Sequence, residues 1–328
     1  MKYLIALSIS LLILGFTYLL KDKVCKHFKL IDHATNNTVH KKDALLYGGI
    51  FLLVGFLLNY FFVLFISNQI IFFYNFNLVI FFFFLALIDD IKDLPANTKF
   101  FISIIITCAC IYYDPTMKIY SLNFSLFGII YFPNNVFINY LFTCLCILLL
   151  INAINFTDGI NGLTSLISLS IFAYLLVKSY YLFDYLFIFL LFLFIFTILN
   201  LSKNIFLGDS GNYIISSIIS VILVKENYYS PQKYFTEEIF LLLLIPGLDM
   251  FRLFFVRLLN KKNPMLGDKN HLHHILLKKY ELKNTLVIYL MLINFPIYTY
   301  YFFQNYLILL TCLVIITYVF LIKNKYTK

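Results

Sequence analysis

Four short polar islands interrupt an otherwise apolar chain, and each carries residue types suited to work on phosphate. The first, Asp89-Asp90-Ile91-Lys92-Asp93-Leu94, has two adjacent carboxylates and a third one helical turn further on. Clustered carboxylates repel unless a cation offsets them, and Lys99 or a bound metal is the obvious offset. Magnesium takes one or two protein carboxylates and completes its shell with waters and substrate phosphates. The spacing therefore predicts a metal site that is only half protein, suited to a nucleotide diphosphate. The second island runs from Asn152 to Leu163 and contains Asp158-Gly159; the third is Phe206-Leu207-Gly208-Asp209-Ser210-Gly211-Asn212. Both pair an acid with glycine, which lets backbone N–H groups approach phosphate oxygens closely.

The fourth island holds His271, His273 and His274 within four residues. A zinc site is the competing reading, but no Cys is near and the spacing does not put a ligand pair on one helical face. Imidazoles in a basic loop suit a diphosphate or sugar hydroxyls better. Arg252 and Arg257, the chain's two arginines, both lie just before this loop. Arginine offers phosphate a bidentate fork that lysine cannot, so Arg257 is a candidate substrate ligand. Asp22, Asp114 and Glu237 read instead as solvated loop residues.

The elements that position these islands must be membrane helices. The chain has 328 residues, 62% hydrophobic and 12% charged, with a mean hydropathy of +0.89. Soluble domains are nearer half apolar and a quarter charged. No polar stretch is long enough for a separate soluble core, so residues 1–328 read as a single integral-membrane domain. Eleven segments are apolar enough to cross: 3–20, 44–66, 70–88, 99–113, 136–154, 163–178, 184–200, 210–224, 238–256, 284–303 and 305–322. The first reads as a retained span with its N-terminus outside: only Lys2 precedes it, whereas Lys21, Lys23, Lys26 and Lys29 follow, with no small-residue cleavage site.

The net charge of +9 is then a matter of topology rather than of nucleic-acid binding. With eleven crossings, 19 of the 25 Lys and Arg fall on inner segments, five fall on outer ones, and Arg252 lies within a span. That asymmetry is the positive-inside signal; it puts the C-terminus in the cytoplasm and all four polar islands on the cytoplasmic face. A carboxylate at the mouth of an apolar span is costly and marks function. The outer loop 114–135 alternates apolar and polar residues from Lys118 to Phe127, which fits a short β-hairpin or a plain extended loop. The six cysteines, at 25, 108, 110, 144, 146 and 312, read as small core hydrophobes rather than metal ligands or disulfides.

Taken in order, these features resemble the polyprenyl-phosphate N-acetylhexosamine-1-phosphate transferases (glycosyltransferase family 4). That family includes the enzymes that start O-antigen and teichoic acid, phospho-MurNAc-pentapeptide transferase, and the eukaryotic enzyme that starts N-glycosylation. The resemblance covers about residues 32–280. It rests on Asp32, His40 and Gly48-Gly49, on Asp89-Asp90 with Lys99, on Asn152–Leu163, on Phe206–Gly211, on Pro246 with Asp249, and on Asp268–His274. The form Asp268-x-x-His271-x-His273-His274 resembles the branch using small UDP-N-acetylamino sugars rather than the pentapeptide-bearing nucleotide. Four positions depart from the family pattern: Thr38-Val39 for a basic pair, Asn161 for a second Asp, Asn212 for Ser, and Lys203 one residue early.

The resemblance implies an all-α polytopic enzyme of the bacterial cytoplasmic membrane, with its cleft on the cytoplasmic face. Such an enzyme moves an N-acetylamino-sugar 1-phosphate from a UDP-sugar to undecaprenyl phosphate, releasing UMP, for lipid-linked cell-envelope glycans such as O-antigen. Asp209, with Asn155, would hold Mg²⁺ (Mn²⁺ being the substitute ion). Asp89 or Asp90 would bind or deprotonate the lipid phosphate, Lys99 would hold a phosphate, and Asp158 would orient the nucleotide. His271, His273 and His274 would grip the diphosphate or sugar. Asn161 is assigned to uracil, because an amide offers both donor and acceptor to the base edge. A homodimer is compatible with this reading. The alternatives are phospho-MurNAc-pentapeptide transferase and, from another class, a multi-pass transporter, which would place charged or broken-helix residues near the bilayer midplane.

Overall fold

The computed structural model describes residues 2–32, 43–66, 76–133, 135–202, 205–263 and 270–323. Thr38, Val39, His40, Lys203 and Asp268, which entered the sequence argument, lie outside them. Among the described residues the chain is all-α apart from two small antiparallel sheets. Eight helices are long and apolar enough to cross a bilayer, so the chain is a polytopic membrane protein. Each of the eleven expected spans meets a helix. The span expected from 44 starts later, because Ala44–Leu45 form a strand and the helix begins at Gly48. Residues 70–75 of the third lie outside the described set. The first helix runs on to Phe28, past the lysines expected to end it.

The chain divides into two compact units. The first comprises Met1–Cys110 and Thr164–Val221. It contains α1 (Lys2–Phe28), α2 (Gly48–Ile66), α3 (Phe76–Lys92), most of α4 (Ala96–Tyr113), α6 (Leu163–Lys178), α7 (Leu182–Ser202) and the start of α8 (Gly208–Tyr229). Helices α2 and α7 pack most closely. A Cβ at Gly55 would come within 2.6 Å of the Phe192 side chain, so a glycine is what allows this approach, as small residues do between membrane helices.

One turn on, Asn59 works into the α7 backbone. Its Nδ2 donates to Tyr185 O at 2.5 Å, and its Oδ1 accepts from the N–H groups of Ile188 at 3.2 Å and Phe189 at 3.4 Å. The amide thus adds hydrogen bonds to the first turns of α7, in a setting where water cannot. Asn59→Leu is expected to lower stability by about 1–2 kcal/mol, read as a fall in the thermal midpoint in detergent; an unchanged midpoint would remove this role.

Two strands, β1 (Ile31–Asp32) and β2 (Ala44–Leu45), pair antiparallel in the same unit. Phe206 N donates to Leu45 O at 2.8 Å, and Gly48 N donates to Phe206 O at 3.0 Å. The segment leading into α8 is thereby stitched to the start of α2.

The second unit comprises Ile111–Leu163 and Ile222–Lys328. It holds α5 (Val136–Asn155), α9 (Thr236–Leu259), α10 (Leu272–Lys279), α11 (Leu282–Phe302) and α12 (Leu307–Lys323). Helix α9 packs on α5, α11 and α12. The loop 114–135 does form a hairpin: β3 (Ser121–Phe124) pairs with β4 (Gly128–Tyr131) in the register Ser121↔Tyr131 to Phe124↔Gly128. Gly128 turns it with φ +72°, a conformation open chiefly to glycine.

Two acids expected to be solvated are instead tied into this region. Asp114 is buried, pairs with the buried Lys225 at 3.4 Å and accepts from Thr116 N at 2.8 Å. Glu237 Oε1 accepts from Ser125 N and Ser125 Oγ, both at 3.0 Å. Only Asp22 is exposed as expected, beside Lys21 at 3.3 Å. None of the six cysteines is in a disulfide; Cys25, Cys110 and Cys144 are core residues, whereas Cys108 and Cys312 are exposed. On membrane helices those two thiols face outward, where lipid rather than protein packs against an apolar side chain.

Candidate active site

The first unit gathers four of the candidate residues into one centre. Helix α3 ends just past its acids: Asp93 is exposed, with a left-handed φ of +48°, and donates its N–H to Asp89 O at 2.9 Å. It terminates the helix rather than adding a third carboxylate. Asp89 Oδ1 accepts from Leu94 N at 2.8 Å, while Oδ2 accepts from Lys99 Nζ. Lys99, in the first turn of α4, also donates to Asp209 Oδ2 at 2.6 Å. The lysine therefore bridges two carboxylates that would otherwise repel. Of the three side chains Asp209 is the most exposed, at 29% against 11% for Asp89 and 21% for Lys99, so it is the best placed to meet an incoming ion.

Asp90 has a different occupation. Successive helical residues diverge by about 100°, and Asp90 points away from Lys99 to the N-terminus of α8. Its Oδ1 accepts from Asp209 N at 2.9 Å; its Oδ2 accepts from Ser210 N at 3.1 Å and Ser210 Oγ at 2.5 Å. These are donors that a helix start leaves unpaired, and a carboxylate there also suits the helix dipole.

The Gly208–Gly211 stretch was expected to offer N–H groups to phosphate, and that expectation is corrected: Asp90 takes the N–H groups of Asp209 and Ser210. The glycines allow close packing instead. Gly208 has φ +70°, and a Cβ on it would sit 2.9 Å from Asp90 Oδ2. A Cβ on Gly49 would collide with Ser210, and one on Gly211 with the Leu207 side chain.

Tyr213 was not anticipated. It lies one turn beyond Asp209, buried edge-on against Phe82 at 5.6 Å. The i, i+4 spacing from Asp209 is the signal that would have found it.

The second unit holds the rest. After α5, residues 156–162 form tight turns, with Asp158 N donating to Asn155 O at 3.1 Å. Asp158 is exposed, Asn161 is half-buried, and Arg257 is buried in the last turn of α9. The histidines do not sit in a plain loop: His271 is the N-cap of the short helix α10, and His273 and His274 occupy its first turn. Eight residues, two of them histidines, carry too little apolar pattern to announce a helix.

Phe156 stacks on His271 with ring centroids 5.5 Å apart and planes inclined by 28°. His271 lies parallel to His273 at 5.4 Å, and His273 meets His274 at 4.2 Å. A Cβ on Gly159 would overlap His273 Nε2 and come within 2.9 Å of His274 Nε2. The turn after Asp158 therefore packs on the histidines because residue 159 is a glycine. His273 is almost fully buried, and neither ring nitrogen has a hydrogen-bond partner among the described residues. Burial pushes its imidazole well below the usual histidine range, with His274 and His271 adding to the effect. A buried polar group left unmatched is costly, and a ligand group would repay it. Arg252 is not a phosphate fork: its guanidinium donates to Asp249 Oδ1 at 2.8 Å, Asn270 O at 2.6 Å and Tyr318 OH at 2.7 Å.

A magnesium ion was tested against these side chains. Among the described residues no three His, Cys, Asp or Glu groups form a self-sufficient metal cage. A hard cation takes one or two protein oxygens and completes its shell with phosphate and water. Asp209 supplies such an oxygen in the first unit. In the second, the buried Oδ1 of Asn155 has no hydrogen-bond partner among the described residues, the condition expected of an amide oxygen kept for a ligand. The Asp209 carboxylate, within the first unit, fits a hard cation that takes few protein oxygens.

The stretch that carries the acid–lysine–acid centre and the start of α8 is similar in sequence to known proteins. Residues 72–227 match the model for glycosyl transferase family 4. The matched stretch contains Asp89, Asp90, Lys99, Asp158 and Asp209. Among curated relatives, the chain is 24% identical over 271 residues to the undecaprenyl-phosphate alpha-N-acetylglucosaminyl 1-phosphate transferase of Yersinia pestis, covering 78% of this chain and 72% of the relative. It is 26% identical over 246 residues to the protein of the same name from Thermotoga maritima, covering 71% and 73%.

Proposed function

We propose that this protein transfers an N-acetylamino-sugar 1-phosphate from a UDP-sugar, UDP-GlcNAc first among them, to undecaprenyl phosphate, releasing UMP. The observation that carries the reading is the Lys99 bridge between Asp89 and Asp209, within the stretch matched by the family model. Two anions must meet in this reaction, so positioning and charge neutralisation are the main tasks. Asp89 takes the proton of the lipid phosphate. The freed oxygen attacks the β-phosphorus, a new P–O bond forms, and the bond to UMP breaks. Lys99 sets the Asp89 carboxylate and neutralises phosphate charge. Asp209 would hold Mg²⁺, which when bound supplies Lewis-acid stabilisation of the diphosphate. Asp158 orients the nucleotide, Asn161 reads uracil, and the histidines and Arg257 bind the sugar diphosphate.

We place the chain in a bacterial cytoplasmic membrane with eleven crossings, its N-terminus outside and its C-terminus and active-site cleft on the cytoplasmic face. Supporting this are the concentration of 19 of the 25 Lys and Arg on inner segments and the helix at each expected span. Purified protein given undecaprenyl phosphate and Mg²⁺ is expected to release UMP from UDP-GlcNAc. UDP-GalNAc and deoxy derivatives in the same screen rank the sugars. No UMP from any donor would overturn the reading.

A further inference from the structure

Asp249 lies 2% exposed in the middle of α9 and is saturated with partners. Its Oδ2 meets His271 Nδ1 at 2.8 Å; its Oδ1 accepts from Arg252 at 2.8 Å and Tyr318 OH at 2.9 Å; Leu272 N lies 3.2 and 3.1 Å from Oδ1 and Oδ2. One carboxylate thus joins α9, the start of α10 and α12, all within the second unit. Arg252 already matches its charge. Tyr318 is held in turn, since it accepts from Arg252 Nε. A carboxylate only accepts hydrogen bonds, so Nδ1 of His271 carries a proton, and in the neutral ring Nε2 presents its lone pair. This is the arrangement by which a buried carboxylate fixes the tautomer and aim of a working imidazole. A lone pair attracts a hydroxyl or amide N–H and repels a phosphate oxygen.

We propose that Asp249, braced by Arg252 and Tyr318, is the positioning residue of His271 and sets its Nε2 to accept a hydrogen bond from the sugar of the nucleotide substrate. The claim rests on the transferase reading above and assigns His271 to sugar donor groups rather than to the diphosphate. Residues 249 and 271 should then act as one unit.

The test is a double-mutant cycle on UMP release, with Asp249→Ala, His271→Ala and the pair. Each single change is expected to lower kcat/KM for the nucleotide sugar by about 10–100-fold. The double variant should be no worse than His271→Ala, and KM for undecaprenyl phosphate should stay within about twofold. UDP, which has the diphosphate and no sugar, should inhibit all variants with the wild-type Ki. Should Asp249→Ala fail to fold, Asp249→Asn and Tyr318→Phe replace it in the cycle, Tyr318→Phe with a smaller loss in the same parameter. Additive losses, or equal damage to the KM of both substrates, would overturn the positioning role. Weakened UDP inhibition would overturn the sugar assignment. Wild-type turnover separates the two readings: with it intact, additive losses sink only the role of Asp249, whereas no UMP release by wild type sinks the transferase reading and the role of His271 with it.

Discussion

Asp209→Ala is expected to reduce transfer of sugar phosphate into the lipid fraction by about 10³-fold or more, and Asp89→Asn to do the same for a different reason. Removing Asp209 deletes the most exposed oxygen of the centre and leaves Lys99 with one carboxylate instead of two. The fold should survive, because the helix start at Gly208–Ser210 is held through its backbone by Asp90. Asp89→Asn keeps the shape and the acceptor for Leu94 N but can no longer take a proton. The two variants should part company in metal dependence. Raising Mg²⁺ is expected to recover some activity of an Asp209→Asn variant, whose amide oxygen is a weaker ligand, and none of Asp89→Asn. Turnover within tenfold of wild type in both Asp209→Ala and Asp89→Asn would refute the centre as described. Radiolabelled UDP-GlcNAc and extraction into organic solvent give the readout.

The second large effect concerns Asp90 and separates it from its neighbour. Asp90→Ala should cost about 1–2 kcal/mol, the usual cost of losing a helix cap, seen as a lower thermal midpoint. Activity should fall by about 10²-fold, since freeing the start of α8 displaces the Asp209 side chain by a fraction of an ångström to an ångström. Asp90→Asn should recover much of both losses, because an amide oxygen still accepts from a backbone N–H and asparagine is a good cap. The graded series (Asp, then Asn, then Ala) is the signature of positioning. A proton acceptor gives an all-or-none series instead, as expected at position 89. If Asp90→Asn were as inactive as Asp90→Ala with an unchanged midpoint, the carboxylate of Asp90 would have a chemical role.

The contrast between positions 89 and 90 shows what a sequence can and cannot carry. Periodicity and hydropathy located the helices, because burying apolar surface in lipid imposes a length and a composition on every span. They also located the acids, since a charge at a helix mouth stands out against an apolar run. Neither signal says which of two adjacent carboxylates faces Lys99. That depends on the rotation of α3, whose Phe82 and Asp90 meet Tyr213 and the start of α8 more than a hundred positions away. The same limit hid the hub at Asp249, whose partners His271 and Tyr318 lie 22 and 69 residues on. Asp114 and Glu237 were misjudged because loop acids are usually solvated, and only the tertiary structure reveals Lys225 and the Ser125 amide beside them. Tyr213 stayed concealed among the apolar residues of α8, although its distance from Asp209 was readable. The hairpin, in contrast, was legible from alternation alone, a short-range property.

The carboxylate of Asp90 at the head of α8 has one further consequence. A bare helix start in a phosphate-handling protein is an open berth for any small anion, and cells hold inorganic phosphate and sulfate in abundance. Here the berth is filled by a tethered anion that cannot diffuse away. Free oxyanions then have no foothold at this helix end.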